Sequence, residues 1–336
     1  MYTTIRVLRN LIYAASTRGA DLQKACSALG ITPEGLNDAD SRVEGVVPVM
    51  NMWSTLEASS GDPCIGLHSG IQNNPSVFGL LGYLMQSCRT VKDTYTELQR
   101  YQQMVSGWIS YKMEVTNKGC EVTFGVNPIW WDVSPETARH AIDAAMSGTF
   151  NFIYIFTGRK IYPLKAEFQF PAFQSRSDYE RVFNCPAGFQ KEKNLLIYEK
   201  GFADIPILSY DESLYAHFAE TLREKAATFE KSASFCDQVR QVIMRDFAGK
   251  IPSLEIIAAH MNMSERSFQR KLSQHSESYR SLGTSIKKEL AFNLLRNTDA
   301  KVHSISDVLG YAEPSAFHRA FKSWTKTTPV QKKNDF

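Results

Sequence analysis

Two stretches in the last third of the chain repeat each other, and this duplication constrains the fold more than any other feature. Ile257-Ala258-Ala259-His260-Met261-Asn262-Met263 lies over Ile305-Ser306-Asp307-Val308-Leu309-Gly310-Tyr311, so that Asn262 matches Gly310. Asn and Gly are the residue types that best tolerate a left-handed backbone, so each copy ends a short helix in a tight turn. A second helix follows, anchored four residues apart by Phe268 and Leu272 in the first copy and by Phe317 and Phe321 in the second. Helix, tight turn and second helix predict a helix-turn-helix, whose second helix is shaped to enter the major groove of double-stranded DNA.

What those second helices display is consistent with that task. In the first copy Ser264 is a candidate N-cap, and Arg266, Gln269 and Arg270 project opposite Phe268 and Leu272. Arg pairs bidentately with guanine and Gln with adenine, so these three are candidate base readers. The second copy offers Ser315, Ala316, His318 and Arg319, with Lys322 one turn later. Small residues there permit close approach to the groove and leave Arg319 the main polar contact, while His318 reads equally as a base contact or as solvent-facing. Phe321 and Trp324 continue the apolar stripe and are expected in the core. A helix over residues 278–297, with Leu282, Ile286, Leu290 and Leu294 spaced by four, can hold the two readers apart. At a separation of about 34 Å, one turn of DNA, a single chain would read two successive groove segments on one face.

The charge distribution divides at the same place. From residue 235 onward there are sixteen Lys and Arg against ten Asp and Glu, whereas the first 234 residues hold 22 basic and 25 acidic side chains. A basic C-terminal third fits a phosphate-binding surface, and Ser264, Lys271, Arg280, Lys287 and Lys322 are its candidate phosphate contacts.

The first two hundred residues read as α+β. Helical patterns cover residues 4–16, 21–29, 47–59, 77–87 and 91–107, the last behind Thr90 with Asp93 three residues on. Alternation over 111–115 and 121–126, around Asn117-Lys118-Gly119, predicts a hairpin. Ser134 and Pro135 open a helix to about residue 156, and strand-like runs at 166–170 and 194–198 flank a polar helix near 177–183. Residues 211–229 form a helix that reads as a connector or an oligomer seam, and 231–234 as the joint. The expected organisation is an α+β effector-sensing and oligomerisation domain at 1–210, a connector at 211–234 and an all-α domain with two helix-turn-helix motifs at 235–336. Trp53, Phe78, Tyr83, Tyr101 and Trp108 are the candidates for an effector pocket, although helical aromatics also fill cores. The apolar neighbourhood of residues 77–85 favours an apolar or amphipathic effector.

Several classes are disfavoured. The longest strongly apolar run, at 77–85, is far short of the roughly 20 residues that span a bilayer, so no membrane partner is expected. Six cysteines without a CxxC pair suggest neither a disulfide framework nor a metal site, and a cytoplasmic location is the default. No phosphate-cradling glycine loop, GxSxG elbow or HExxH is present, so neither a cofactor nor a catalytic residue is assigned; Cys120 and Cys185 are the conceivable nucleophiles. A nucleoid-type packaging protein is disfavoured by the large, weakly charged N-terminal part.

These residues resemble a known family. Pro252-Ser253-Leu254, Met263-Ser264-Glu265-Arg266-Ser267-Phe268-Gln269-Arg270-Lys271-Leu272, Leu309-Gly310-Tyr311, the run from Ser315 to Thr325, and Thr328-Pro329 look like the paired helix-turn-helix domain of AraC/XylS-type bacterial transcription regulators. Gly61-Asp62-Pro63, Ile65-Gly66-Leu67 and Phe78-Gly79-Leu80-Leu81-Gly82-Tyr83 resemble the effector domain of its arabinose-binding-like branch. Asn262 stands where the family usually has Gly, Tyr311 where it has Phe, and Gln331-Lys332-Lys333 departs from the usual end. The resemblance implies an effector-responsive activator that binds promoter DNA, meets RNA polymerase and forms a homodimer. A regulator controlled by a protein partner, without a ligand, is the alternative. DNA-repair methyltransferases carry a similar module, but beside clustered metal-binding cysteines that this chain lacks.

Overall fold

The computed structural model describes residues 1–172, 176–232, 234–297 and 301–334, with backbone alone at 229–232, 296–297 and 334. Of the expected joint at 231–234, residue 233 therefore lies outside the described residues. The chain opens with β1 (Tyr2–Thr4), which pairs antiparallel with β2 (Arg42–Glu44). Between them run α1 (Ile5–Ser16) and α2 (Leu22–Ala28). Then come α3 (Val47–Ser60), α4 (Ile65–Gly70), α5 (Leu80–Gln86), α6 (Val91–Tyr101) and the hairpin β3 (Ile109–Thr116) and β4 (Gly119–Val126). After α7 (Pro128–Val133) and α8 (Pro135–Thr157) follow β5 (Lys165–Glu167), α9 (Arg176–Phe183), β6 (Ala187–Gly188) and β7 (Asn194–Tyr198). The rest of the described chain is helical: α10 (Glu212–Ser232), α11 (Phe235–Asp246), α12 (Leu254–His260), α13 (Glu265–Ser273), α14 (Tyr279–Asn297), α15 (Val302–Val308), α16 (Pro314–Thr325) and α17 (Pro329–Asn334).

Two compact units result. One comprises Tyr2–Val126 and Glu136–Ala226, the other Met1, Asn127–Pro135 and Ala227–Phe336. The first is α+β and the second all-α, as the sequence predicts. The assignment of Asn127–Pro135 to the helical unit is not anticipated by the sequence.

Local chemistry explains most element boundaries. Thr90 and Asp93 form the expected capping box of α6, with Thr90 Oγ1 accepting from Asp93 N and Asp93 Oδ2 from Thr90 N. The helix expected over 77–87 is instead broken: residues Pro75–Phe78 form a 3-10 turn, Gly79 adopts φ +59° and ψ −129°, and α5 starts only at Leu80. That backbone conformation is open to Gly alone, so the residue redirects the chain where apolar periodicity reads straight through. The helix expected over 91–107 likewise stops at Tyr101.

The five-stranded sheet has the order β3-β4-β7-β5-β6, antiparallel except for β5 with β6. Tyr111 pairs with Phe124 and Val122 with Leu196. β3 is an edge strand, and α6 lies against it. Two of the outward amides of β3 are occupied by side chains: Gln102 Oε1 accepts from Tyr111 N at 2.9 Å and Gln99 Oε1 from Met113 N at 3.5 Å.

The central helix of this unit is α8, buried on most sides, and α4 approaches it through two glycines. A Cβ on Gly66 would lie 2.3 Å from the His140 carbonyl oxygen, and one on Gly70 would lie 2.4 Å from the Ala144 oxygen and 2.1 Å from Ser147 Oγ. The same face of α8 carries buried polar groups. Arg139 donates to the Pro63 carbonyl oxygen at 2.9 Å and lies 3.4 Å from Asp143, which also accepts from the Tyr179 hydroxyl at 2.8 Å. Burial pushes the Asp143 carboxyl up to about 7, against the pull of Arg139. Burial also lowers the pKa of His140, whose Nδ1 lies 3.4 Å from Gly66 N and whose Nε2 lies 3.1 Å from a Glu57 carboxylate oxygen and 3.3 Å from the Arg139 guanidinium.

Gly70→Ala therefore has no room for its methyl group unless the α4–α8 pair separates. The expected cost is at least about 1 to 3 kcal/mol, the range for overpacking a tight contact. Calorimetric unfolding of the full chain reads it, and a change below about 0.5 kcal/mol, the range of an ordinary surface substitution, would contradict the close packing.

Candidate nucleic-acid interface

The two repeated turns share one hydrogen-bond pattern. Asn262 N donates to the Ala259 oxygen at 3.0 Å and Met263 N to the Ala258 oxygen at 2.9 Å; Gly310 N donates to Asp307 at 3.0 Å and Tyr311 N to Ser306 at 3.1 Å. Asn262 has φ +54° and Gly310 φ +70°, so the residues paired in the sequence occupy the same left-handed position. The copies differ just beyond it. The cap of the second helix is Ser264, two residues after the turn, in the first copy and Glu313, three residues after it, in the second.

Both second helices are fixed by their apolar side. Phe268 and Leu272 are fully buried, and Phe268 meets the rings of Phe235 and Tyr279 edge-on at 5.3 and 5.7 Å. In α16, Phe317 and Phe321 are fully buried, 5.7 Å apart, with Phe321 5.5 Å from Phe292. Trp324 is half-buried against Phe321. With these faces committed, Arg266, Gln269 and Arg270 of α13 stand exposed side by side, and so do Ser315 and Arg319 of α16. His318 is half-buried, edge-on to Phe317 at 6.3 Å.

The candidate phosphate contacts separate into two groups. Lys271, Arg280 and Lys322 are exposed, with the Lys271 ammonium 5.2 Å over the Phe235 ring. Ser264 is exposed, and its hydroxyl oxygen also caps α13 by accepting from Ser267 N at 3.3 Å. Lys287 is half-buried; its ammonium sits 4.1 Å over the Tyr311 ring, and burial lowers its pKa. It has a structural partner, holding α14 to the turn of the second motif, that its charge alone did not reveal.

The candidate effector aromatics stand at several places in the α+β unit. Trp53 is buried and stacked on His140 at 5.6 Å, Tyr101 and Trp108 are buried, and Tyr83 is 55% exposed with its ring 5.9 Å from Phe218. An apolar cavity of the α+β unit is lined instead by Met85 of α5, Thr94, Tyr95 and Leu98 of α6, Tyr111 of β3, and Thr149, Phe152, Ile153 and Phe156 of α8. Phe78 meets its wall edge-on, 6.3 Å from Tyr111 and 5.4 Å from Phe152. The space inside, about 10 Å³, holds no more than a water-sized sphere. The Thr94 hydroxyl is already bonded to the Met85 carbonyl oxygen at 3.1 Å, which leaves the wall largely apolar.

Among the described residues, no group of three or more His, Cys, Asp or Glu is placed to hold a metal, and no helix is long and apolar enough to cross a membrane. Residues 19–207 match the family described as "Arabinose-binding domain of AraC transcription regulator, N-term", and residues 257–334 match a "Helix-turn-helix domain". Over 323 residues the chain is 24% identical to an uncharacterized HTH-type transcriptional regulator of Mycobacterium tuberculosis, with 96% of this chain and 94% of that one covered. It is 22% identical over 312 residues to the ornithine utilization regulator of Pseudomonas aeruginosa, covering 93% and 90%. Among solved structures, the transcriptional regulator CdpR from Pseudomonas aeruginosa aligns over 92% of this chain and 95% of its own at 16% identity, with a TM-score of 0.42.

The matched turns predict unequal substitutions. Gly310→Ala should lose about 1 to 2 kcal/mol, the penalty of placing a Cβ at a left-handed position. Asn262→Gly at the equivalent exposed site should stay within about 0.5 kcal/mol. Calorimetry on both full-length variants checks this, and equal effects would mean that the two turns are not equivalent.

Proposed function

The chain belongs to the AraC family of transcription regulators and is a sequence-specific DNA-binding regulator, and on that premise we propose that its helical unit reads two successive major-groove segments through α13 and α16. The observation that carries this reading is the exposed trio Arg266, Gln269 and Arg270 on a helix whose other face is locked by Phe268 and Leu272. Ser315, His318 and Arg319 read the second segment; Ser264, Lys271, Arg280 and Lys322 hold phosphates, with Lys287 joining them once it leaves Tyr311. Residues 235–336 are the DNA-reading domain, 1–210 the effector-sensing and oligomerisation domain and 211–234 the connector. On this reading the protein acts in the cytoplasm as an activator that engages RNA polymerase at the promoter.

The sensing half takes an apolar or amphipathic small molecule, and the lining of the cavity between α5, α6, β3 and α8 supports that class. Its small volume means that a ligand enters only as the wall opens, so ligand binding and movement of α8 or β3 are one event. A homodimer forms through this half, with the exposed Leu214 of α10 and Tyr83 as its apolar surface.

Selection of full-length protein on random duplex DNA tests the reading. Gln269→Ala or Arg270→Ala should lose about 1 to 3 kcal/mol on the selected site and relax preference at one base position. Arg280→Ala should weaken all sequences alike and lower the salt slope by about one. If neither Gln269→Ala nor Arg270→Ala alters binding to any selected sequence, α13 is not the reader. For the effector, a ligand at a hundred times its dissociation constant should add about 2.7 kcal/mol of stability. Stabilisation by sugars or polyanions alone would exclude the apolar class.

A further inference from the structure

The helix α7 lies between β4 and α8 in the sequence, yet it belongs to the compact unit formed with Ala227–Phe336. Its local chemistry is that of a built element. Asn127 Oδ1 accepts from Ile129 N at 3.0 Å as the N-cap, Pro128 occupies the first turn, and Ser134 N returns to the Trp130 oxygen at 2.9 Å. Ile129 and Trp130 are almost completely buried.

The partners of α7 come from both halves of the DNA-reading unit. Asn127 Nδ2 donates to the Met244 carbonyl oxygen at 2.9 Å, in the last turn of α11, which packs against the first helix-turn-helix. Ile129 abuts the bend after α11: a Cβ on Gly249 would lie 2.9 Å from Ile129 Cδ1 and 3.0 Å from Leu290 Cδ1 of α14. Gly249 has φ +73°, so the chain bends there without a side chain and leaves the place that Ile129 and Leu290 share. On a third side α7 lies against α15, the opening helix of the second motif. One six-residue helix thus bonds to the support of the first motif, shares with the bridging helix α14 the space over Gly249, and lies against the start of the second motif.

Given the two DNA-reading motifs assigned above, we propose that Asn127–Pro135 is a brace that fixes the placement of one helix-turn-helix relative to the other, and that it is the sensing half's handle on DNA binding. The two motifs are joined by α14 and by little else in sequence, so a wedge seated at α11, α14 and α15 limits how far they rotate about that helix. Of the segments that enter and leave the brace, α8 lines the cavity and β4 is the neighbour of a strand that does. α8 contributes Phe152, Ile153 and Phe156 to its wall, and β4 is paired along its length with β3, which contributes Tyr111. A ligand that displaces α8 or β3 pulls on α7 through the chain itself. The spacing of the two readers, and so the affinity for a two-segment site, changes without any ligand contact to the DNA-reading unit.

The test separates the brace from the DNA-reading assignment. Spin labels are placed at Ser273→Cys and Ser323→Cys, exposed positions on α13 and α16, in full-length protein carrying Cys185→Ser and Cys236→Ser, the two cysteines that are not buried. The label-to-label distance distribution is measured with and without Ile129→Ala, and with Asn127→Ala, which removes the bond to Met244 together with the N-cap of α7 and leaves the Ile129 side chain in place. Both variants should broaden the distribution at least about twofold. Each should lose about tenfold in affinity for a selected two-segment site while a single segment is bound within about twofold of the parent, a tenfold loss being about 1.4 kcal/mol. Unchanged single-segment binding shows that each motif is still folded. An unchanged distance distribution overturns the brace, as does an equal loss on one-segment and two-segment DNA, which marks α7 as general stabilisation only. If the parent selects no DNA sequence, the reading assignment fails, and the distance distribution decides the brace by itself.

Discussion

A recognition helix can present polar side chains to DNA only if its other side is held still, and in both motifs that hold is a pair of aromatic or aliphatic residues four apart. Phe268 and Leu272 bury one face of α13 completely, and Phe317 and Phe321 do the same for α16. Each large apolar side chain contributes on the order of 1.5 to 3 kcal/mol on burial. That energy fixes the rotation of each helix about its axis, and the rotation decides that Arg266, Gln269 and Arg270 emerge together. The left-handed turns at Asn262 and Gly310 then set the angle at which each second helix leaves the first. Anchors, turns and exposed polar residues form one constraint, and it is imposed twice.

The α+β unit is governed by close approach. α4 reaches α8 because Gly66 and Gly70 have no side chains, and the contact brings the backbone of one helix against that of the other. At that distance no large apolar layer fits between them, and the face of α8 concerned carries Arg139, His140, Asp143 and Ser147. These three buried titratable groups are tolerated because each has a partner: Arg139 the Pro63 carbonyl and Asp143, His140 Glu57 and Gly66, and Asp143 the Tyr179 hydroxyl. The opposite end of α8 lines the cavity, so one helix carries a buried polar seam along one part and a stretch of largely apolar wall along another.

What was legible in the sequence was whatever declares itself within a few residues or by repetition. The pairing of Asn262 with Gly310 was readable because both residue types answer the same backbone demand, and the capping box at Thr90 and Asp93 because its chemistry spans four positions. The strand pair Tyr2–Thr4 with Arg42–Glu44 was not, since three residues show no periodicity. Helix α7 escaped for a related reason. Its Asn127-Pro128 start is a cap signal, but six residues are too few for a helical stripe, and Ile129 meets the chain more than a hundred residues away at Gly249. At Gly79 the apolar pattern of residues 77–85 outweighed one glycine in the reading, whereas the backbone obeys the glycine. Aromatics are an ambiguous pocket signal because large rings are buried for packing as well as for ligands. Trp53, Tyr101 and Trp108 fill the core, while the cavity wall mixes Tyr95, Tyr111, Phe152 and Phe156 with Met85, Leu98 and Ile153.

The two glutamines beside β3 bear on how the α+β unit meets other polypeptides. An edge strand normally offers a row of free amides on which another chain can lay down a strand, the shared route to β-augmentation and to fibrous aggregation. Here Gln102 and Gln99 occupy the amides of Tyr111 and Met113, and Lys112 and Glu114 on the same strand are paired with each other at 2.7 Å. An incoming strand would have to displace two side-chain carbonyls to pair at Tyr111 and Met113, beside a charged pair on the face of the strand. The sheet is therefore capped on this side, much as a growing crystal face is poisoned by a molecule that fits one lattice site and blocks the next.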